Sequence, residues 1–267
     1  SGTGGNGLLT LYLDGSPYAT LSNASGNWSL AVVPSELSRG AVFTATNTVG
    51  GVESALSNAV TVTGVANFLV TINGTAATSV VAGENFTVTI TARDASNNTF
   101  TNFNGFVSLT STSAIGTGGG RIGPFVNGVL TNHTLSLLTA GNNQQISVVN
   151  TEDPTAFGSA TVGVVVPGAP FQLVYLDNIP TGNIVAGTSL GTVRVQVQDA
   201  YANNRNDDGI VVVQSLQDSP GNTTSSASLF GTLTANTSNG IATYADLQVQ
   251  RAGTYRLAAT STSLQQN

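Results

Sequence analysis

FTVTITARD, from Phe86 to Asp94, and VRVQVQD, from Val193 to Asp199, are two versions of one pattern. In the first, Phe86, Val88, Ile90 and Ala92 alternate with Thr87, Thr89, Thr91 and Arg93. In the second, Val193, Val195 and Val197 alternate with Arg194, Gln196 and Gln198. A period of two built from β-branched residues predicts a strand with one buried and one wet face. Val-Ala-Gly precedes each copy (Val81–Gly83 and Val185–Gly187), and an Asp with an Asn-rich turn follows each. With Asp94 and Asp199 105 residues apart, the chain carries two copies of one β-domain.

Outward from these stretches the same grammar continues. Residues 65–167 predict strands at Phe68–Ile72, Phe86–Arg93, Phe106–Thr110, Gly120–Phe125, Thr134–Leu138, Gln145–Val149 and Ala160–Val166. Asn73-Gly74, Asn104-Gly105 and Asn127-Gly128 mark tight turns between them, because glycine accepts positive φ without strain. Residues 168–267 repeat the order, with strands at Phe171–Leu176, Val193–Gln198, Ile210–Ser215, Ser228–Thr232, Ile241–Leu247 and Thr254–Thr260. Residues 1–64 predict short strands at Leu8–Leu13, Tyr18–Ser22, Trp28–Val33, Val42–Asn47 and Ala59–Thr63, with one helical turn near Pro34–Ser38. Asp14-Gly15 and Asn23–Gly26 supply turns there. Short strands at this spacing suggest Greek-key sandwiches.

The first segment, with its Asn27-Trp28-Ser29 strand and valine-threonine ending, resembles the bacterial Ig-like repeats of large surface proteins. The second and third resemble filamin-type and invasin-type Ig-like repeats found in tandem in bacterial adhesins. The residues behind that likeness are Val-Ala-Gly, the strands ending in Asp94 and Asp199, and Ala-Gly before a late strand (Ala140-Gly141, Ala252-Gly253). The resemblance implies an all-β chain of tandem Ig-like Greek-key β-sandwich domains, 1–64, 65–167 and 168–267. The joints are short, and Pro167-Gly168-Ala169-Pro170 favours a stiff connection, so the expected arrangement is an extended rod.

Composition narrows function. Charged residues are 7% of 267, against about 25% in ordinary soluble proteins, yet hydrophobic residues at 40% suffice for cores. Lys is absent, and the net charge of −6 offers no basic footprint for nucleic acid. Cys is absent too, so core packing and sheet hydrogen bonds hold the domains without disulfides. No apolar run reaches the roughly 18 residues of a membrane span. Asn-x-Ser/Thr triplets at Asn23, Asn27, Asn73, Asn85, Asn97, Asn132, Asn222 and Asn236 are candidate glycan acceptors, although Asn- and Thr-rich sequence produces them by chance.

Chemistry-bearing residues are few. His133 is the single histidine, with no Ser or Cys motif to recruit it. The carboxylate pairs Glu152-Asp153 and Asp207-Asp208 lie in turn-like sequence, where such acids bond their own backbone. Zinc and copper would need more His or Cys than the chain contains. Calcium needs only oxygen ligands, and Asp199, Asn203, Asp207 and Asp208 crowd one loop with Asn204 and Asn206, while Asp94, Ser96, Asn97 and Asn98 crowd its counterpart. The expectation is no cofactor, with that loop as the calcium candidate. Trp28 shares a face with Leu30 and Val32, and the resemblance implies a core role for it. Tyr255 resembles the tyrosine corner of Ig-like sandwiches and is read as structural.

These readings point away from an enzyme and toward a structural or adhesive segment of a large extracellular, cell-surface bacterial protein. Its expected partners are other copies of itself or flanking Ig-like repeats, and surface glycans or proteins. The alternative is a carbohydrate-binding or spacer module of a secreted hydrolase. The first segment looks short of a strand at its start, and the third has 14 residues after Gly253 where the second has 26 after Gly141. Either flanking residues of a longer chain complete these units, or a strand from a neighbouring subunit fills the groove beside Thr254–Thr260. For the second case Leu8–Leu13 has the alternation a donor strand needs. Many Ig-like surface proteins resist force through Lys–Asn isopeptide bonds, but no Lys is present to supply the amine. Intact-mass measurement is therefore expected to show no loss of ammonia from such a bond, and a confirmed Lys–Asn crosslink would refute this reading.

Overall fold

The computed structural model describes residues 2–4, 7–22, 26–31, 39–72, 79–177, 179, 182–218 and 228–264. All regular structure among them is β, and strands pair only within three consecutive stretches of sequence. The helical turn expected near Pro34–Ser38 and the Asn73-Gly74 turn lie outside the described residues, as do residues 23–25 of the first-segment turn.

The first stretch contains β1 (Gly2–Gly4), β2 (Leu8–Leu13), β3 (Ser16–Ser22), β4 (Gly26–Trp28), β5 (Val42–Val49), β6 (Val52–Glu53) and β7 (Val60–Thr61). One sheet runs β3-β2-β5-β6 with β7 also on β5, and β1 pairs with β4. Asp14 and Gly15, both at positive φ (51° and 78°), make the two-residue turn between β2 and β3. The Val42 N–H donates to Asp14 Oδ1 at 2.8 Å, tying that turn to β5. Leu9 and Leu11 point into the interior, as the alternation requires. Leu8–Leu13 is flanked on both sides, by β3 and by β5. It is an inner strand, and donating it to another subunit would dismantle its own sheet, which corrects the expectation above.

The second stretch contains β8 (Asn67–Ile72), β9 (Ser79–Val81), β10 (Asn85–Arg93), β11 (Val107–Ser111), β12 (Ile115–Thr117), β13 (Gly120–Ile122), β14 (Val129–Leu137), β15 (Gly141–Asn150) and β16 (Phe157–Val166). Its sheet runs β12-β14-β10-β8-β16-β15-β11-β13, with β9 parallel to β16. The link between β8 and β16 is a single parallel pair, Phe157 with Asn67, and the path folds there into two facing layers. Phe68, Val88, Ile90 and Leu135 from one layer meet Val107, Leu109, Ile146, Val148 and Val162 from the other in one continuous core. Asn127 (φ 48°) and Gly128 (φ 78°) form the turn that bridges Val126 to Val129.

The third stretch contains β17 (Gln172–Tyr175), β18 (Val193–Gln198), β19 (Val211–Gln217), β20 (Leu229–Phe230), β21 (Thr234–Asn236), β22 (Ile241–Tyr244), β23 (Gln248–Val249) and β24 (Arg256–Thr260). Sheets β17-β18-β22 and β21-β19-β24 enclose Val193, Val195, Val212, Ala242, Tyr244 and Leu247, while β20 pairs with β23. The expected strand Ile241–Leu247 ends at Tyr244 and resumes at Gln248. Alternation assigns Gln196 to the wet face, but it is 4% exposed. The loop after β18 folds over it, and its Nε2 donates to the carbonyls of Val197, Arg205 and Gly240.

Leu135, fully buried between the layers of the second stretch, tests this packing. Leu135→Ala is expected to cost about 2–5 kcal/mol in denaturant unfolding. Val126→Ala, at a side chain 68% exposed, is expected to stay within about 0.5 kcal/mol.

Candidate functional site: the joint between the second and third segments

The loop that follows β18 is built by one carboxylate. Asp199 Oδ1 accepts the N–H groups of Tyr201 (2.8 Å) and Asn203 (2.9 Å), and the Asp199 N–H donates to the Asn203 carbonyl at 3.0 Å. The loop after β10 repeats the construction, with Asp94 Oδ1 accepting from Ser96 and Asn98 at 2.9 Å each. In both, the fourth residue takes positive φ: Asn97 at 65° and Ala202 at 64°. Asparagine tolerates that conformation, and alanine is strained in it.

What separates the two loops is what they touch. Asp94–Asn98 is largely exposed, whereas Asp199 is 0% and Asn203 9% exposed. Asn203 Nδ2 donates to the Leu138 carbonyl (2.8 Å), and the Ala140 N–H donates to Asn203 Oδ1 (2.9 Å), both across to the second segment. Asp199 Oδ2 accepts from Asn203 Nδ2 and from the Gly168 N–H in the linker, each at 2.8 Å. Arg205 Nη1 reaches the Pro167 carbonyl at 3.4 Å. The Tyr201 ring lies against Gly83, where a Cβ would collide with it, and residues 81–84, 168–171, Ala200 and Tyr201 line a cleft. The loop is thus the contact through which the third segment grips the second.

Burial alone raises the Asp199 pKa, but the donors from Asn203, Gly168 and Tyr201 outweigh it and hold the carboxyl below its ordinary 3.8. Arg205 pairs with Asp207 through two contacts and keeps that carboxyl low as well. Asp208 Oδ1 accepts the Asn239 N–H at 2.6 Å. The four residues read as a calcium candidate therefore divide: Asp199 and Asn203 bond each other, while Asp207 and Asp208 serve other partners. No group of three His, Cys, Asp or Glu suited to a metal occurs among the described residues.

The remaining candidates are dispersed. His133 Nε2 donates to the Gly118 carbonyl at 2.7 Å from within β14, which starts five residues earlier than the alternation suggested. Asp153 Oδ1 accepts from the Thr155 backbone and hydroxyl. Trp28 is half-buried, and its Nε1 has no partner among the described residues. The Tyr255 hydroxyl donates to the Ala252 carbonyl at 3.3 Å, with its ring over Gly253. Sequence reasoning missed Gln214, a core residue whose Oε1 accepts from Tyr175 at 2.7 Å. Burial, followed by the charge of Tyr244, pushes the Tyr175 hydroxyl well above its usual range.

No protein-family model matches the chain, and no curated protein sequence matches it. Among solved structures, the Escherichia coli adhesin FdeC is 19% identical with a TM-score of 0.30, covering 83% of this chain and 69% of that one. Domains 5-6 of the S-layer protein SbsC are 18% identical (TM-score 0.27; 76% and 93% covered). A Bacteroides uniformis β-glucuronidase is 13% identical (TM-score 0.25; 75% and 24% covered).

Asp199→Ala leaves buried N–H groups unpaired and is expected to destabilise by about 1–3 kcal/mol. Small-angle scattering should show the second and third segments released from their fixed relation, with Asp94→Ala as the control that leaves it intact. Because the folded pKa lies below the unfolded one, this stabilisation is fully present above pH 3.8 and is lost as pH falls through the folded value. Loosening of the joint at neutral pH, or none on acidification, would contradict the assignment.

Proposed function

We propose that this chain is a structural or adhesive segment of a large extracellular protein of the bacterial cell surface. Its β-sandwich units serve as a stiff spacer and assemble into a fibre by exchanging strands between subunits. The observation that carries this reading is the Asp199–Asn203 joint. An independent binding module has no need to bury a carboxylate against its neighbour, whereas a spacer that must hold its direction does. A chain without thiols or lysine has only such packed, hydrogen-bonded contacts with which to stiffen a joint. The largely uncharged surface, rich in Thr, Ser, Asn and Gln, is compatible with close assembly.

A carbohydrate-binding module would set aromatic rings side by side on one face. The exposed rings here, Phe157, Tyr201 and Phe230, are divided between the second and third segments, and Tyr201 is engaged in the joint. Electron microscopy of native material is expected to show elongated particles or filaments. Compact monomers, with segments that tumble independently by NMR relaxation, would sink the proposal.

A further inference from the structure

Of the five Asn-Gly pairs in the chain, three lie among the described residues: Asn104-Gly105, Asn127-Gly128 and Asn239-Gly240. The last two are hairpin turns held closed on both sides. Asn127 (φ 48°) and Asn239 (φ 49°) are left-handed, with Val126 bridged to Val129 and Ser238 to Ile241. Gly128 and Gly240 are buried, and their N–H groups donate to the carbonyls of Phe103 (3.0 Å) and Asp207 (3.1 Å). Asn104-Gly105 is built differently, and the tight turn its sequence predicts does not form. The chain turns earlier, where the Phe103 N–H donates to the Phe100 carbonyl at 3.1 Å, and the pair follows in irregular backbone leading to β11. Asn104 is exposed, and its Nδ2 reaches the Asn102 carbonyl only at 3.5 Å, beyond the usual hydrogen-bond range. The Gly105 carbonyl accepts from Phe125 at 3.2 Å, but the Gly105 N–H meets no acceptor among the described residues.

We propose that Asn104 is a modification site, where the side-chain amide is lost spontaneously to water, while the fold protects Asn127 and Asn239. The Gly105 nitrogen attacks Asn104 Cγ and gives its proton to solvent base, and the new C–N bond closes a succinimide ring. Nδ2 takes up a proton and leaves as ammonia. Water then opens the ring at either carbonyl, leaving aspartate or its β-linked isomer. One water enters and one ammonia departs, so no oxidant, metal or cofactor is needed. The attack requires the nitrogen to swing onto the side chain. At Gly128 and Gly240 that motion breaks a hydrogen bond and opens a bridged turn, whereas at Gly105 no such bond is lost. Glycine also brings no Cβ to obstruct the approach. The β-linked product adds one carbon to the main chain beside Phe103, whose ring packs on Phe68 and Phe125 at centroid distances of 5.6 and 4.9 Å. Modification therefore acts on the margin of the second segment's core.

The test is to age the full chain in mildly alkaline buffer and to map acid formation by proteolysis and peptide mass spectrometry. In the folded chain Asn104 is expected to convert at least tenfold faster than Asn127 and Asn239. In concentrated urea the three rates are expected to converge, because each asparagine precedes the same residue. Asn104→Gln, at an exposed position that folding tolerates, is expected to abolish conversion in that peptide, since glutamine must close a larger ring. Equal rates at the three sites in the folded chain overturn the inference. A lead for Asn104 that persists undiminished in urea also overturns it, by assigning the difference to flanking residues instead of the fold. Acid formed at an unchanged rate in the glutamine variant overturns the ring closure.

Discussion

A β-sandwich closes only when its last strand pairs on both sides, and in the second segment β16 does so. It hydrogen-bonds along β15 on one edge and takes β9 in parallel on the other. Val162 and Val165 then seal a core that already contains Ile146 and Val148. The benefit is twofold: apolar area leaves water at about 25 cal/mol per Å², and two rows of backbone groups find partners. With no disulfide to hold an open edge together, this closure sets the integrity of each unit.

Placing a charge in the joint looks paradoxical for a chain with so few charges. An ionised carboxylate is costly to bury unless its oxygens are filled, and Asp199 receives four donors, three of them backbone N–H groups. The arrangement is directional in a way an apolar contact is not. Gly168 must approach closely, Asn203 must face Leu138 and Ala140, and Ala202 must hold a strained φ of 64°. A hydrophobic patch would allow the third segment to slide on the second. A shared carboxylate and a bifunctional asparagine fix one geometry.

Much of this was legible in the sequence. Leu8–Leu13 and Val193–Gln198 emerge with the bounds their alternation implies, because a strand with one wet face writes its period into the residues. The short strands β6, β9, β12 and β21 were not legible, since two or three residues carry no period. Alternation assigned Gln196 to the outside, yet tertiary carbonyls hold it inside, and Gln214 was missed altogether, its Oε1 bound in the core by the Tyr175 hydroxyl. The Asp199 loop was recognised as unusual but not as a joint. Its deciding partner, Leu138, lies 65 residues away, and no local pattern encodes that distance.

The two landmarks that repeat along the chain acquire a common explanation from the joint. Val81-Ala82-Gly83 sits at the end of the second segment that meets the third, and the Tyr201 ring occupies the space that a Gly83 side chain would fill. The Asp-to-Asn loop sits at the end of the third segment that meets the second. One motif is the receiving surface and the other the inserting loop of a head-to-tail contact. The second segment carries Asp94–Asn98 with the same internal hydrogen bonds, and the third carries Val185–Gly187 with the same anchoring. Each therefore carries the half of the contact that the other uses in the joint.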